Sequence, residues 1–287
     1  MRAKAFCPGH VTGFFQTCMA DDLLSSGSRG AGMCLSLGAT SVVRTSDSSR
    51  LSVEVSVNGQ PGEAEVTRAA VRDLLGERNL RVSVDTMLEL PLSQGFGMSA
   101  AGALSATIAL ADIVGESRQR AFEAAHAAEV ECRCGLGDVP ALHAGGITIR
   151  VRPGLPPSGE VRRIDGTPDV VLCVIGAEMR TREVLNDEKL RQRIDTHGGQ
   201  CVDSLLANPT LDNLLSLSAL FARETGLASG RVADAVAAAA GPDKASMAML
   251  GGSVFAVGDI GRLQAVLTGF GRTYLCRVDG QGPRLLP

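Results

Sequence analysis

The segment PLSQGFGMSAA, residues 91–101, combines glycines and a serine in a way that can hold a phosphate group. Gly95 and Gly97 let the backbone approach a ligand closely and adopt positive φ. The alanine-rich helix that follows directs unpaired N–H groups and its positive dipole end into this loop. Ser99 lies in its first turn, where a hydroxyl can reach a metal ion bound to phosphates. The segment is not Walker A, because no Lys-Ser/Thr pair follows the last glycine, and not Gly-x-Gly-x-x-Gly, because position 100 is Ala. On its own, a glycine-rich turn between a strand and a helix is more often structural.

A second segment, HAAEVECRCGLGDVPALHAGGITIR, places two carboxylates and an arginine around a glycine-rich turn. His126 and Glu129 are three residues apart on a predicted helix and share a face. Asp138 follows the turn directly, and Arg150 alternates with apolar residues on a predicted strand. These residue types suit magnesium–phosphate binding and acid–base catalysis. A solvent-facing glutamate, a turn aspartate and an exposed arginine would give the same pattern.

Two shorter segments also contain candidate residues. In FCPGHVTGFF, residues 6–15, His10 is predicted to lie in a Pro-Gly-His turn. In KASMAMLGGSVFAV, residues 244–257, a glycine pair enters an apolar strand, which indicates either a close backbone approach or a bulge.

The composition excludes several classes of function. Only 3% of the 287 residues are aromatic, the net charge is −3, and no long basic run occurs, which argues against a nucleic-acid partner. No apolar run approaches 18 residues, so we expect no membrane association. Eight scattered cysteines without a Cys-x-x-Cys pair predict reduced thiols in a cytoplasmic protein.

The order of predicted elements indicates an α+β fold. Strict alternation over 51–57 predicts a strand, and the stretch 98–114 lacks a charged face until Asp112, which predicts a buried helix. Strands and helices then follow in mixed rather than regular order, which favours two domains with mixed sheets packed against helices. The Pro- and Gly-rich stretch 152–169 predicts the boundary, with domains at 1–155 and 156–287.

In this order and spacing, the four segments resemble the GHMP small-molecule kinases. PLSQGFGMSAA is similar to that superfamily's Pro-x3-Gly-Leu-Gly-Ser-Ser-Ala phosphate loop, with Gly95, Gly97 and Ser99 on its two glycines and second serine. Phe96 and Met98 depart from it, and Met98 stands where the first serine is usual. KASMAMLGGS resembles the third, glycine-rich motif of the superfamily.

Within the superfamily, AFCPGHVTGFF, SGSRGAG, AHAAEV and GLGDV resemble the archaeal pantoate kinases nearly end to end. The resemblance implies a two-domain GHMP fold, a homodimer, and transfer of the γ-phosphoryl group of ATP to the 4-hydroxyl of (R)-pantoate in archaeal coenzyme A biosynthesis. It also implies Mg²⁺ as cofactor.

The resemblance assigns roles residue by residue. Asp138 takes the hydroxyl proton, and Ser99 with Glu129 holds Mg²⁺ between the phosphates. The implied ATP-phosphate residues are Gly95, Gly97, Met98, Ser99 and Ala100, and the implied substrate residues are His10, His126, Arg150 and Thr181. A bidentate guanidinium such as Arg150 is also the chemical group that a carboxylate substrate requires.

Two alternatives remain open at the level of sequence. Another GHMP substrate, such as homoserine or mevalonate, would use the same phosphate loop. A non-catalytic nucleotide- or metabolite-binding regulator on the same fold is favoured by Met98 and the thin third motif. The presence of Ser99, Glu129 and Asp138 argues against that regulator.

Overall fold

The computed structural model describes residues 1–62, 64–176, 184, 186–241 and 244–287. In chain order, the strands of these residues are β1 (Arg2–Cys18), β2 (Gly27–Asp47), β3 (Ser52–Val57), β4 (Gln60–Pro61), β5 (Leu80–Leu88), β6 (Ile147–Arg152), β7 (Glu160–Ile164), β8 (Asp169–Val174), β9 (Lys244–Ala248), β10 (Ser253–Val257), β11 (Arg272–Arg277) and β12 (Arg284–Leu286). The helices are α1 (Glu65–Leu75), α2 (Met98–Val114), α3 (Arg118–Glu131), α4 (Asp138–Ala144), α5 (Glu188–Ala207), α6 (Leu211–Thr225), α7 (Gly230–Ala239) and α8 (Ile260–Leu267).

The larger sheet is organised by the long antiparallel pair β1–β2. Its strand order is β12-β1-β2-β5-β3-β4. The two halves of β2 have different second partners: residues 30–33 pair with β6, and residues 39–47 pair with β5. Since β6 then pairs with β7, the sheet forks at the N-terminal half of β2. The fork places β1, β2 and β6 side by side.

The smaller sheet has the strand order β11-β8-β10-β9 and is antiparallel throughout. The α+β prediction is therefore confirmed by a structure of mixed sheets packed with helices. Among the described residues, no helix is long and apolar enough to cross a membrane.

The buried helix α2 links the phosphate-loop segment to the core. It is apolar on all sides, and its first four turns are buried except at Ser99. It begins after Gly97 and ends at Gly115, both in the left-handed conformation that favours glycine. The predicted helix over 98–114 is therefore confirmed, and it packs on β1, β2, α1 and α3.

The expectation of an N-terminal turn is wrong. Residues 6–15 lie within β1, and the Pro-Gly pair appears as a register shift against β2 between Pro8 and Gly9. A proline without an N–H and a glycine without a side chain are tolerated at such a bulge.

Strand pairing crosses the predicted boundary at 155/156, and the division into two domains stays a prediction. β7 lies beyond the boundary but pairs with β6 in the larger sheet. The C-terminal strand β12 also returns to that sheet and pairs with β1. The chain enters the smaller sheet at β8.

Candidate active site

A cavity of about 460 Å³ opens where the phosphate-loop segment meets β1, β6 and the turn between α3 and α4. Its lining includes residues 95–99 and 135–138, together with Thr12, Arg150 and Met249. All four candidate segments therefore contribute residues to one cavity.

The phosphate-loop segment presents its backbone to this cavity. Gly97, at φ +60°, is the residue before α2 and lets the chain turn so that the N-terminus of the helix faces the loop. Met98 and Ala100 are buried, so their side chains pack in the core and their backbone groups remain for a ligand. Ser99 is half-buried and lines the cavity. This is the arrangement of a helix N-terminus that binds an anion.

The glycine pair near the C-terminus holds the phosphate loop from behind. A Cβ on Gly251 would lie 2.0 Å from the carbonyl carbon of Gln94 and 2.4 Å from the backbone nitrogen of Gly95. The Ser253 hydroxyl donates to the Gln94 carbonyl, and the Met249 N–H donates to Thr12 O at 3.1 Å. Of the two interpretations of this segment, the close backbone approach is confirmed.

This packing predicts the effect of adding one methyl group. Gly251→Ala is expected to shift the phosphate loop, lower stability by about 1–3 kcal/mol through overpacking, and raise the KM for ATP. Gly102→Ala is the matched control. Gly102 lies inside α2, where a Cβ would be 3.6 Å from Thr67 Oγ1, and alanine is favoured over glycine in a helix by about 1 kcal/mol. Steady-state kinetics and thermal unfolding measure both. A wild-type KM for ATP in Gly251→Ala would contradict the packing argument.

Asp138 is the first residue of α4, and its side chain is 21% exposed at the cavity. Its Oδ1 lies 2.7 Å from Nδ1 of His10, which comes from β1 and is fully buried. Burial lowers the pKa of His10, whereas the hydrogen bond to Asp138 raises it, and the net direction is down. His10 is therefore neutral near pH 7. Because an ionised carboxylate only accepts, Nδ1 carries the hydrogen.

Glu129 lies beneath the turn that precedes Asp138. It is 2% exposed, and a Cβ on Gly135 would meet its Oε2 at 1.9 Å. Only glycine at position 135 leaves room for this carboxylate next to the cavity. Burial, followed by the charge of Asp138, raises the pKa of Glu129 to about 8, and the nearby Ser99 hydroxyl acts in the opposite direction.

The Ser99 and Glu129 side chains fit a magnesium ion. Within the described ranges, both carboxylate oxygens of Glu129 are buried without a hydrogen-bond partner. Carboxylate and hydroxyl oxygens are ligands that Mg²⁺ accepts, and phosphate oxygens and water usually complete its shell. A bound cation would also offset the cost of ionising a buried carboxylate.

Arg150 is buried against two glycines, Gly30 and Gly137. Its exposure is 1%, and a Cβ on its β2 neighbour Gly30 would lie 2.6 Å from Nη2. A Cβ on Gly137 would lie 2.5 Å from Nε. Nε and Nη1 have no hydrogen-bond partner among the described residues, although Arg150 lines the cavity. Burial lowers its pKa to about 10, so it stays cationic at neutral pH.

The residue patterns in this region now have a structural reason. In Gly135-Leu136-Gly137, the first glycine makes room for Glu129 and the second makes room for Arg150. The exposed-residue alternative for Glu129 and Arg150 is wrong, because both side chains are buried. Arg150 and Asp138 give the cavity a cation for an anionic ligand and a carboxylate for a proton, and the Glu129 carboxylate lies next to the cavity, behind Gly135.

Comparison with known proteins places this arrangement in a family. Residues 65–146, which run from α1 through α4, match the GHMP kinases N terminal domain. The chain is 34% identical to pantoate kinase of Methanospirillum hungatei, covering 99% of this chain and 96% of that protein. It is 36% identical to pantoate kinase of Thermococcus kodakarensis, covering 90% and 88%.

The chain belongs to the pantoate kinase family.

Solved structures agree with membership of the pantoate kinase family. A phosphotransferase related to the coenzyme A biosynthesis pathway superposes with a TM-score of 0.89 at 29% identity, covering 100% of this chain and 99% of that one. A homoserine kinase from Cytophaga hutchinsonii superposes with a TM-score of 0.69 at 17% identity, covering 99% and 97%, which shows the shared fold. The sequence resemblance to GHMP kinases is confirmed.

Two other residues of this pantoate kinase family member, His126 and Thr181, were predicted to bind substrate. His126 is 1% exposed, and its Nε2 lies 2.9 Å from the carbonyl oxygen of Ser26, just before β2. Burial lowers its pKa. His126 therefore supports the start of β2, and a substrate contact by it stays a prediction. Thr181 lies outside the described residues.

The sequence did not indicate the contacts of two further arginines of this family member. Arg29 bonds to Asp203 at 2.8 Å and to the Val151 carbonyl at 3.0 Å, so it connects β2 to α5 and β6. Arg133 joins Arg150 as a cation of the described cavity lining and has a φ of +54°. The Cys-Arg-Cys sequence did not predict that Arg133 lines the cavity, because the turn between α3 and α4 places it there.

Proposed function

We propose that the protein transfers the γ-phosphoryl group of ATP to the 4-hydroxyl of pantoate. The observation that carries the proposal is the meeting of the Asp138 carboxylate and the buried Arg150 guanidinium in one cavity beside the N-terminus of α2. The relatives from Methanospirillum and Thermococcus are pantoate kinases, which supports the choice of acceptor.

ATP binds with its phosphates against the glycine-rich loop. The backbone N–H groups between Gly95 and Ala100 and the positive end of α2 attract the phosphate oxygens. Met98 donates through its backbone, because its side chain is buried. The loss of a serine hydroxyl at position 98 therefore leaves the main-chain part of the phosphate site intact.

Ser99 and Glu129 hold Mg²⁺ in this proposal. When bound, the ion neutralises charge on the transferring phosphoryl group. The Glu129 carboxylate is positioned for this by the rigid helix α3 and by the space that Gly135 leaves.

Asp138 acts as the general base. The pantoate hydroxyl oxygen forms a bond to the γ-phosphorus, the bond from that phosphorus to the ADP oxygen breaks, and the hydroxyl proton passes to Asp138. The carboxylate is partly exposed and lines the cavity, so a hydroxyl group can reach it. Since phosphoryl transfer needs little covalent work from the protein, positioning of these groups dominates the rate.

Arg150 binds the carboxylate of pantoate. Its Nε and Nη1 atoms are buried donors without partners in the described part of the chain. They lie on different edges of the guanidinium, so a bidentate carboxylate satisfies one of them together with Nη2. Leaving these donors unsatisfied costs free energy, which makes the site select for an anion.

Arg150→Ala is expected to raise the KM for pantoate roughly 10–100-fold, the equivalent of charge-assisted hydrogen bonds worth about 1.5–3 kcal/mol. Arg150→Lys keeps the charge but loses the planar fork, so an intermediate KM is expected. Arg152→Ala is the control, because this exposed side chain on the same strand pairs with Glu160. Initial rates at varied pantoate measure the effect. A change confined to the KM for ATP would show that the carboxylate assignment is wrong.

The proposed function is tested by ADP formation with Mg-ATP and pantoate, homoserine or mevalonate, with product mass checked in each case. Turnover with pantoate alone and gain of one phosphate support the proposal. Preference for another alcohol keeps the kinase chemistry and rejects the acceptor. ATP binding without turnover of any of the three would instead favour a non-catalytic regulator.

A homodimer in the cytoplasm completes the proposal. It rests on the resemblance to archaeal pantoate kinases, and sedimentation equilibrium of the purified protein tests the oligomeric state.

A further inference from the structure

His10 was expected to contact the substrate, and its surroundings indicate a different role. Its exposure is 0%, and the described lining of the cavity includes Thr12, two residues further along β1, but not His10. The ring therefore lies behind the wall of the cavity. Its Nδ1 lies 2.7 Å from the Asp138 carboxylate, across 128 residues of sequence, and 3.5 Å from the Thr12 hydroxyl oxygen, so Asp138 is the nearer partner.

The ring of His10 fits a space that the sheet leaves for it. A Cβ on Gly32 of β2 would lie 2.7 Å from Nε2 and 2.9 Å from Cε1. Gly32 is also the partner of Thr12 on β1 and of Thr148 on β6. Any side chain at position 32 would push the imidazole out of its place, so the Gly-Ala-Gly sequence of β2 builds the floor beneath it.

His10 also contacts the phosphate loop. Its backbone N–H donates to the Phe96 carbonyl at 2.9 Å. A Cβ on Gly97 would lie 3.2 Å from both His10 Cβ and Asp138 Cγ. One residue of β1 thus fixes the distance between the loop that faces the phosphates and the carboxylate that faces the acceptor.

The two oxygens of Asp138 have different surroundings. Oδ1 is bonded to His10, whereas Oδ2 lies 3.3 Å from the position that a Cβ on Gly135 would take, and Gly135 lines the cavity. A carboxylate held at one oxygen by a buried donor cannot rotate freely about its terminal bond. The other oxygen is then the one available to a hydroxyl group in the cavity.

We propose that His10 is a positioning residue for the general base: its Nδ1–H holds Oδ1 of Asp138, so that Oδ2 receives the proton of the acceptor hydroxyl. The inference rests on the proposed role of Asp138 and extends it to a residue that does not touch substrate. The other charged group near the His10 ring is Arg150 of β6, and Asp138 of α4 is its direct partner.

Two variants separate the hydrogen bond from the volume of the ring. His10→Phe keeps a flat ring but removes the donor, and it is expected to lower kcat roughly 10–100-fold, the loss typical of removing an orienting partner. The KM values for ATP and pantoate should change little. His10→Asn places an amide nitrogen one bond from Cγ, as Nδ1 is, and should recover most of kcat. A rise in KM without loss of kcat would overturn the proposal.

A double-mutant cycle shows whether His10 acts through Asp138. Against an Asp138→Ala background, His10→Phe should cause no further loss of kcat, because the group that it positions is already absent. Additive losses would mean that His10 has an independent role and would overturn the proposal. Thermal unfolding of all four proteins verifies that each is folded.

An observation that needs no turnover distinguishes this proposal from the proposed function. The protein has four histidines, so long-range ¹H–¹⁵N spectra can assign the tautomer of each. His10 is expected in the Nδ1–H form, with its Nδ1 proton shifted upfield in Asp138→Ala. The Nε2–H form in the wild-type protein would overturn the positioning role, whatever acceptor the enzyme uses. Failure of pantoate turnover with the expected tautomer would reject the acceptor alone.

Discussion

Asp138→Asn is expected to lower kcat roughly 10²–10⁴-fold, the range for loss of a general base. Asparagine has nearly the size of aspartate, and its amide oxygen can still accept the hydrogen bond from His10 Nδ1. The cavity should therefore keep its shape, and the KM for ATP should change little. Steady-state kinetics with ATP and pantoate varied independently measure both constants.

Asp85→Asn is the control for this substitution. Asp85 lies on β5, where it pairs with Arg44 away from the described cavity lining, so its replacement changes net charge without touching the site. Near-wild-type kcat in Asp138→Asn would remove Asp138 as the base. A similar loss in Asp85→Asn would show a general effect of charge instead.

Glu129→Gln is expected to lower kcat roughly 10²-fold or more, which is the scale of losing one electrostatic stabiliser of the transition state. The amide oxygen is a weaker ligand for Mg²⁺ than a carboxylate, so the Mg²⁺ concentration for half-maximal rate should rise. Glu131→Gln, which replaces an exposed carboxylate at the end of the same helix, is the control. A mild loss of rate that Mg²⁺ concentration does not modify would contradict metal binding by Glu129.

Glu129→Gln is also expected to change how the stability of the metal-free protein depends on pH. The pKa of Glu129 is about 8 in the folded protein, against a reference value of 4.5. The folded state therefore holds a proton that the unfolded state has released, and the contribution of Glu129 to stability falls as pH rises from 4.5 through 8. In chelator, the Tm of Glu129→Gln minus that of wild type should increase over this interval. A pH-independent difference would show that Glu129 is not protonated in the metal-free protein.

The phosphate loop was predictable because its signal is local. Gly95, Gly97 and Ser99 lie within five residues, and the apolar helix that follows is recognisable from its own composition. Gly97 has the left-handed conformation that favours glycine, and α2 begins directly after it. Sequence reasoning therefore placed the loop, its helix and the serine together.

The buried network around Asp138 was not predictable from local pattern. His10 and Asp138 meet because β1 crosses beneath the phosphate loop and because β2 has glycines where its neighbours have large side chains. Alternation on β6 left open whether Arg150 is exposed; both α4 and α5 contact this strand, and Arg150 is buried. Burial of a charged side chain depends on distant elements, which a short window of sequence does not contain.

The pairing of β12 with β1 determines when the larger sheet can be completed during synthesis. β1 supplies His10 and Thr12, yet one of its edges is covered only when residues 284–286 pair with residues 4–6. While the ribosome is still adding α5 to α8, that edge has free N–H and C=O groups that another chain can pair with. The sheet around the candidate catalytic groups is thus closed only after residues 284–286 have been made and have paired with β1.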